Sequence, residues 1–283
     1  METKKLMQQL TKLSRSIIGD ENTYKLKYFH QRHRFPNLNN PSDLSERLIS
    51  RMFSPDFGDK YAKYADKVEV REYVANKGLK DTLLEHYAVW DSPKEIDTSN
   101  LPNKFIIKTN NGCGGHVICR DKKLFNKREA IDKLNESIQR GENSIETHYR
   151  HIVPKVFAEE LIDLEDGELP TDYKFLCING TVRVIDVIVG RSSGAKYYSL
   201  DKNWEVIPFT YPKFLSSSVP KRPKNLKEMI NVAETLSKDF DFVRVDLYNH
   251  KGKVYFGELT FTPEGGLLYS YTDEAIKTLG KMF

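Results

Sequence analysis

A lysine followed by a glycine-rich stretch is the feature of this 283-residue sequence with the clearest chemistry. Lys108 ends an apolar run that starts at Phe105, and residues 110–115 read Asn-Asn-Gly-Cys-Gly-Gly. Glycines allow backbone N–H groups to close on an anion, and the lysine adds a positive charge. The lysine precedes the glycines, which reverses the order of a P-loop, and a G-x-G-x-x-G register is missing. The pattern predicts a phosphate-binding loop, with an ordinary turn as the alternative.

A second group of candidate residues lies on two apolar strands near the C-terminus. The two-residue period of a strand places Arg244 and Asp246 on one face of the first strand, and Glu258 and Thr260 on one face of the second. A three-residue turn over residues 250–252 would pair Arg244 with Glu258 and leave Asp246 diagonal to Glu258. Two acids on one face require a cation, and Mg²⁺ binds through one or two carboxylates plus phosphate oxygens. An Arg244–Glu258 ion pair beside a solvated Asp246 is the alternative.

The elements expected to position these groups are helices mixed with antiparallel hairpins. Asn179-Gly180, between two apolar runs, predicts a hairpin with a two-residue turn. Asn126 followed by Glu129 predicts a capped helix start. Such a mixture is typical of an α+β fold with antiparallel sheets. The length exceeds the usual ~100 to 150 residues of one domain, so we expect two lobes or two domains.

Composition narrows the class of protein. Lys and Arg number 44 against 40 Asp and Glu, and this net charge of +4 argues against a dedicated nucleic-acid binder. The three cysteines show no C-x-x-C spacing, so we expect neither a disulfide framework nor a zinc site. With no signal peptide and no transmembrane segment in evidence, the prediction is a cytoplasmic protein of undetermined oligomeric state. Basic residues concentrate in residues 1–34, either as a solvated helix face or as a peripheral contact with an anionic membrane or polymer.

In this order the motifs resemble the ATP-grasp fold and, more narrowly, the TupA-like ATP-grasp family. The resemblance extends over about residues 61–280 and includes the stretches 65–74, 172–175, 244–248 and 256–260. It implies two α+β lobes whose antiparallel sheets clamp ATP. The expected division is an N-terminal mainly helical region at residues 1–65, a small lobe with a glycine-rich lid and hinge at 66–162, and a large lobe with the metal and acceptor site at 163–283.

The resemblance also implies roles for individual residues. Lys174 and Arg191 would face the γ-phosphate, while Asp246, Glu258 and Thr260 would hold Mg²⁺. Thr260 would do so directly or through water, because ATP-grasp enzymes usually have Asn at this position. The hinge would hold adenine through its backbone, and Asp172, or Glu168 as the alternative, would bind the ribose. The implied nucleotide-binding residues are Lys67, Lys108, Asn110, Gly112, Gly114, Gly115, Glu159, Glu160, Leu161, Ile162 and Asp172. Separately, we expect Arg244 and the free N–H groups of the turn at residues 262–266 to bind the acceptor carboxylate.

The reaction that the resemblance implies is carboxylate activation. ATP would phosphorylate a carboxylate, and an amine would displace phosphate to give an amide, with ADP as the other product. The family's link to bacterial surface polymers, such as capsule, O-antigen or teichuronopeptide, suggests joining an amino acid or other amine to a uronic acid or acidic peptide. A phosphotransferase acting on a sugar or glycan, a glycosyltransferase and a non-catalytic nucleotide-binding module are the alternatives.

Overall fold

The computed structural model describes residues 2–112, 114–162, 170–189, 196–216 and 218–283, with only the backbone for residues 2–10 and 12. The described chain forms two antiparallel sheets and the helices that cover them. The helices are α1 (Glu2–Arg32), α2 (Leu44–Met52), α3 (Phe57–Ala65), α4 (Val70–Asn76), α5 (Lys127–Glu142), α6 (Thr147–Arg150), α7 (Leu226–Ser237) and α8 (Asp273–Gly280). The strands are β1 (His86–Trp90), β2 (Phe105–Thr109), β3 (Val117–Cys119), β4 (Val156–Glu159), β5 (Asp172–Ile178), β6 (Thr181–Val189), β7 (Lys196–Leu200), β8 (Phe242–His250) and β9 (Lys253–Thr260).

The smaller sheet has the strand order β1-β4-β2-β3 and its own apolar core. Phe105 and Ile107 of β2 are buried against Leu134 of α5. Asn126 caps α5 by accepting a hydrogen bond from the Glu129 backbone N–H, so the predicted helix start is confirmed. The glycine-rich stretch links β2 to β3, at the edge of this sheet.

The larger sheet has the strand order β7-β6-β5-β8-β9. Asn179 and Gly180 form the turn between β5 and β6 with φ of 51° and 71°, which confirms the predicted two-residue hairpin. The left-handed conformation at both positions matches the twist of the flanking strands. β5 pairs with both β6 and β8, so its residues lie in the middle of the sheet.

The helices that precede the small sheet share one core with the large sheet. Tyr61 of α3 lies 4.5 Å from Phe261 between ring centroids, and Val74 of α4 is fully buried in the same cluster. Met52 of α2 belongs to that core as well. Residues on both sides of the expected boundary at residues 65 and 66 therefore contribute to this core, and the expected division into three parts stays a prediction.

The basic N-terminal segment is partly internal. The Arg32 side chain is only 1% exposed, and Arg34 contacts the carboxylates of Asp43 and Glu46. Both arginines therefore form their contacts within the chain. A peripheral contact with an anionic membrane or polymer would depend on the other basic residues of the segment. Within the described part of the chain, no helix is both long enough and apolar enough to cross a membrane.

Candidate active site

The turn of the β8–β9 hairpin differs from the sequence expectation. Lys251 and Gly252 alone form it, with φ of 52° and 82°. The expected three-residue turn over residues 250–252 is therefore wrong. A two-residue turn in an unbroken ladder would put Asp246 and Glu258 on opposite faces, because the side-chain period of a strand is two.

A bulge returns the two carboxylates to one face. The register shifts between Asp246 and Leu247, and Gly257 is the additional residue on β9. A side chain there would bring a Cβ within 3.0 Å of the Asp246 carbonyl oxygen, so glycine permits the close approach. Asp246 consequently lies directly opposite Glu258, and Arg244 lies opposite Thr260 instead of Glu258.

Asp246 is the centre of a network of ion pairs on this face. Arg244 binds it with two hydrogen bonds, Nε to Oδ1 at 2.7 Å and Nη2 to Oδ2 at 2.8 Å. Lys174 lies opposite Asp246 on β5, and its ammonium contacts both Asp246 and the Asp172 carboxylate, the latter at 2.7 Å. Asp246 is 2% exposed, so these charges interact with little screening by water.

Lys67 joins the glycine-rich stretch to the carboxylate hairpin. Its ammonium lies 3.1 Å from Glu258 Oε2 and donates to the Gly112 carbonyl oxygen at 2.6 Å. Asp66 fixes the backbone that follows Lys67, because its carboxylate accepts hydrogen bonds from the N–H of Val68 and of Glu69 at the start of α4. Two residues far apart in sequence are thus brought together by the junction between α3 and α4.

The pKa of Glu258 reflects this concentration of cations. Burial raises it, but the charges of Lys67, Lys174 and Arg244 hold it well below its usual range. In the described part of the chain, the network contains three carboxylates and three cations. The carboxylates are those of Asp172, Asp246 and Glu258, and the cations are those of Lys67, Lys174 and Arg244. The network is therefore charge-balanced before any ligand binds.

The donor atoms on this face suit Mg²⁺. Asp246, Glu258 and Thr260 offer carboxylate and hydroxyl oxygens, and the Thr260 hydroxyl lies 3.3 Å from Glu258 Oε1. No group of three His, Cys, Asp or Glu side chains among the described residues is arranged to hold a metal ion. Mg²⁺ does not need such a cage, because it usually keeps waters and takes phosphate oxygens beside one or two carboxylates. The residues fit the ion provided that the lysine ammonium groups move from the carboxylates to a phosphate.

The small sheet holds a separate and simpler pair. The Lys108 ammonium contacts the Glu159 carboxylate, and His86 Nε2 lies 3.5 Å from the other carboxylate oxygen. Burial raises the pKa of Glu159, but Lys108 and His86 outweigh it and lower the pKa to about 2. Lys108 lies on β2, one residue before its end, and so the ammonium stands at the sheet beside the glycine-rich stretch.

The Asn110 side chain has a structural position. It is fully buried, and its amide donates to Asp66 Oδ2 at 2.7 Å and to the Val153 carbonyl at 3.0 Å. Its oxygen accepts from the Lys155 backbone N–H at 2.7 Å. A role for this side chain in binding nucleotide, as expected from the sequence, does not agree with these contacts.

The rest of the glycine-rich stretch packs against α5. Gly114 and Gly115 have φ of 74° and 73°, a conformation that favours glycine. A Cβ at Gly115 would lie 2.4 Å from that of Ser137, and the Ser137 hydroxyl donates to the Gly114 carbonyl at 3.2 Å. Cys113 lies outside the described residues, and the expected lid function stays a prediction.

The expected hinge begins inside the small sheet. The Glu160 N–H donates to the Glu85 carbonyl at 2.9 Å, so it is not available to adenine. Leu161 and Ile162 follow the end of β4, and Ile162 is buried. The expected backbone contact of the hinge with adenine stays a prediction.

The positions of Asp172 and Gly265 bear on the expected ribose site and on the expected acceptor site. Asp172 is 1% exposed, and its carboxylate lies 2.7 Å from the Lys174 ammonium in the large-sheet network, while its expected role at the ribose stays a prediction. The Gly265 N–H donates to the Thr262 carbonyl at 2.8 Å, so it is not free for an acceptor carboxylate. Arg191 and Glu168 lie outside the described residues.

Three carboxylates near the network were missed by sequence reasoning. Glu146, between α5 and α6, accepts from the Thr262 hydroxyl at 2.5 Å, and burial raises its pKa to about 7. Asp186 and Glu264 line one cavity together with Arg244. Asp186 could have been noticed as the single acid in the apolar strand β6, whereas Glu146 and Glu264 sit in stretches without a distinguishing pattern.

Comparison with known proteins places the chain among ATP-grasp proteins. A family model described as TupA-like ATPgrasp matches residues 46–283. Among solved structures, D-alanine-D-alanine ligase from Helicobacter pylori is 18% identical with a TM-score of 0.44, covering 78% of this chain and 61% of that one. The ATP complex of the Bacillus anthracis D-alanine-D-alanine ligase is 13% identical with a TM-score of 0.42, covering 77% and 65%. N5-carboxyaminoimidazole synthase from Aspergillus clavatus is 12% identical with a TM-score of 0.45, covering 72% and 46%.

The chain thus spans less than two thirds of the length of each of these three structures. A search of curated proteins gives no match.

Proposed function

Because the chain belongs to the TupA-like ATP-grasp family, we propose that it is an ATP- and Mg²⁺-dependent ligase that joins a carboxylate to an amine. The observation that carries the proposal is the pair of directly opposed carboxylates, Asp246 and Glu258, surrounded by cations from three elements. Such an arrangement can receive a metal–phosphate group, because its acids suit the metal and its cations suit the phosphates.

The cations of the network would bind the transferring phosphoryl group. Lys67 and Lys174 are long and flexible, so their ammonium groups can move from a carboxylate to a phosphate oxygen nearby. Arg244 is held by two hydrogen bonds to Asp246 and would keep that carboxylate oriented. Mg²⁺, when bound by Asp246 and Glu258 with Thr260, would neutralise charge on the phosphates.

The nucleotide would extend toward the small sheet. Lys108 stands beside the glycine-rich stretch, and Lys67 already contacts the Gly112 carbonyl, so both are suited to the phosphates. Leu161 and Ile162 would contact adenine. Arg191, from the 190–195 connection, is proposed for the γ-phosphate on the family resemblance alone.

The chemistry would proceed in two substitutions. A substrate carboxylate oxygen attacks the γ-phosphorus, and the bond from phosphorus to the ADP oxygen breaks. The amine nitrogen then attacks the acyl carbon, phosphate leaves, and the nitrogen gives up a proton. The protein supplies position and charge for both steps and needs no nucleophile of its own.

The substrates are proposed from the family context. A uronic acid or an acidic peptide would be the carboxylate, and an amino acid or other amine would be joined to it during assembly of a bacterial surface polymer in the cytoplasm. This assignment rests on association and not on the contacts described above.

The test is a screen of carboxylates and amines for ATP consumption, with products identified by mass. We expect ADP and phosphate in equal amounts with an amide product. AMP and pyrophosphate would contradict the proposal by indicating adenylation. ADP without an amine requirement, together with a phosphorylated sugar, would indicate a phosphotransferase.

A further inference from the structure

A cavity of about 90 Å³ opens beside the ion-pair network on the large sheet. Lys174 and Arg244 line one end, where they belong to that network. The rest of the lining includes the polar side chains of Asp186, Tyr197 and Glu264 and the apolar side chains of Leu176, Ile188 and Leu268. The volume accommodates several water molecules, which corresponds to a small polar group with a few carbon atoms.

The charges along this cavity are separated. Lys174 and Arg244 are already paired with the network carboxylates. In the part of the chain that the structure describes, neither Asp186 nor Glu264 has a lysine or arginine within ion-pair distance. Arg244 attracts both acids through space, and Arg32 also attracts Glu264, but neither arginine forms an ion pair with them. The cavity therefore presents two acids that still lack a directly bound cation, a position that the ammonium group of a ligand can fill.

Neutral donors orient both acids without neutralising them. Asp186 accepts hydrogen bonds from the Ser199 and Tyr271 hydroxyls, each at 2.6 Å. Glu264 accepts from the Ser270 backbone N–H at 3.0 Å. Burial raises the pKa of Asp186 to about 6 and also raises that of Glu264, so a bound cation would stabilise the ionised form of each.

The wall that carries Glu264 is held in place by the N-terminal helices. Tyr24 donates to the Gly265 carbonyl at 2.5 Å, and Ser45 donates to the Gly266 carbonyl at 2.6 Å. Arg32 donates to the next two carbonyls, at 3.2 and 2.7 Å. Glu264 itself has φ of 53°, an unfavourable conformation that persists only where the surroundings impose it. This side of the cavity is therefore held in a fixed position by contacts from the N-terminal helices.

We propose that this cavity binds the ammonium group of the amine substrate, which is a small primary amine of about the size of an amino acid. The inference rests on the proposed ligase function and adds the subsite for the second substrate. Glu264 and Asp186 would receive the ammonium group, and the position of the cavity next to Lys174 and Arg244 would direct the nitrogen toward the carboxylate that is activated there.

Binding can be measured without turnover by saturation-transfer NMR, with Mg²⁺ and a non-hydrolysable ATP analogue present. The probes are the twenty common amino acids, ethanolamine and glucosamine, each compared with its N-acetyl derivative. We expect at least one small amine to bind and its N-acetyl derivative to fail. Equal binding of free and acetylated forms, or no binding by any amine, would overturn the proposal.

The variants assign that binding to the cavity. Glu264→Gln should weaken binding of the selected amine at least tenfold and leave binding of the ATP analogue within twofold. Asp186→Asn, checked for native circular dichroism, should act in the same direction. Glu274→Gln, at an exposed carboxylate on α8, is the matched control and should bind like the wild type. Unchanged amine binding in both Glu264→Gln and Asp186→Asn would refute the assignment.

Turnover separates this proposal from the proposed function. If the wild type forms amide and ADP but Glu264→Gln keeps the wild-type KM for the amine, the ligase function stands and the subsite is wrong. If the amine binds through Glu264 but no carboxylate supports ADP formation, the subsite stands and the ligase function is wrong.

Discussion

Each sheet holds a lysine against a buried carboxylate, but the two arrangements differ in how much charge they gather. On the small sheet, Lys108 and Glu159 form a pair with His86 at its side. On the large sheet, Asp246 alone is shared by Lys174 and Arg244, and three cations and three carboxylates are linked in total among the described residues. The pair joins neighbouring strands of one sheet, whereas the network joins β5, β8 and β9 to the junction between α3 and α4.

The difference indicates two kinds of role. A pair in which each partner neutralises the other stabilises the folded sheet, and moving its lysine to a phosphate would leave a buried carboxylate without a cation. A network with several alternatives for each charge can release its lysines to phosphates when a divalent cation takes their place. The predictions below separate these roles by measuring stability and ATP turnover in the same variants.

The largest combined effect is expected for Asp246→Asn. The substitution removes the buried charge that Arg244 and Lys174 share, and breaking a buried ion pair costs about 3 to 5 kcal/mol. ADP formation should also disappear, because a proposed metal ligand is lost. Urea unfolding and an ADP assay check both effects, and an unchanged unfolding midpoint would show that the network does not stabilise the fold.

Glu258→Gln should lower activity more selectively. The Glu258 side chain is 26% exposed against 3% for Asp246, so water screens part of its attraction to the surrounding cations, and we expect a smaller loss in the free energy of unfolding than in Asp246→Asn. ADP formation should fall by roughly 10²-fold or more, as when one group that stabilises the transition state is removed. Full turnover in this variant would contradict the proposed metal site.

Lys108→Ala tests the small-sheet pair and should affect both stability and turnover. We expect ADP release to fall at least about tenfold, which is about 1.4 kcal/mol of binding or activation free energy. The pKa of Glu159 is depressed to about 2, so the pair stabilises the fold above the ordinary pKa of about 4.5 and loses this contribution as the pH falls through about 2.

Urea unfolding at several pH values measures the stability part. Wild type and Lys108→Ala should differ most near pH 7 and converge toward pH 2. A difference in stability that does not depend on pH would show that the depressed pKa of Glu159 is not caused by Lys108.

The smallest effect is expected for Glu146→Gln. Burial raises the pKa of Glu146 to about 7, so the folded state binds its proton more tightly than the unfolded state does. Stability of the wild type should therefore decline relative to the variant as the pH rises from about 4.5 to 7. Because the side chain is partly exposed, we expect the difference in Tm between wild type and variant to change by only about 2 to 4 °C between pH 5 and pH 7.5. Thermal unfolding of both proteins at the two pH values measures this change. Parallel Tm curves would exclude the raised pKa.

Local sequence patterns correctly predicted those turns and helix starts that depend on the preferences of one or two neighbouring residues. Asn179-Gly180 and Asn126 determine a turn and a helix start through their own backbone and side-chain preferences. The two-residue turn at Lys251-Gly252 was missed, because the same sequence also fits a three-residue turn that ends in Gly252. The bulge at Gly257 compensates for the turn, and its glycine is required by a close approach of β8 that only the folded sheet creates.

Contacts between distant residues were beyond such patterns. The role of Asn110 depends on Asp66 and Lys155, which approach it only after α3 and β4 have packed. The distance between Lys67 and Glu258 likewise depends on the packing of the helical junction against the hairpin. The family resemblance indicated the residue types at these positions, whereas Glu146 and Glu264 become visible only in the folded chain.

The transfer of a carboxylate oxygen to phosphate tests the central claim most directly. The carboxylate substrate selected by the screen would be labelled with ¹⁸O and incubated with the enzyme, ATP, Mg²⁺ and the amine, and the phosphate would be examined by mass spectrometry. Carboxylate activation through an acyl phosphate predicts one ¹⁸O atom in each phosphate released, together with unlabelled ADP. Unlabelled phosphate, or ¹⁸O in AMP, would contradict it.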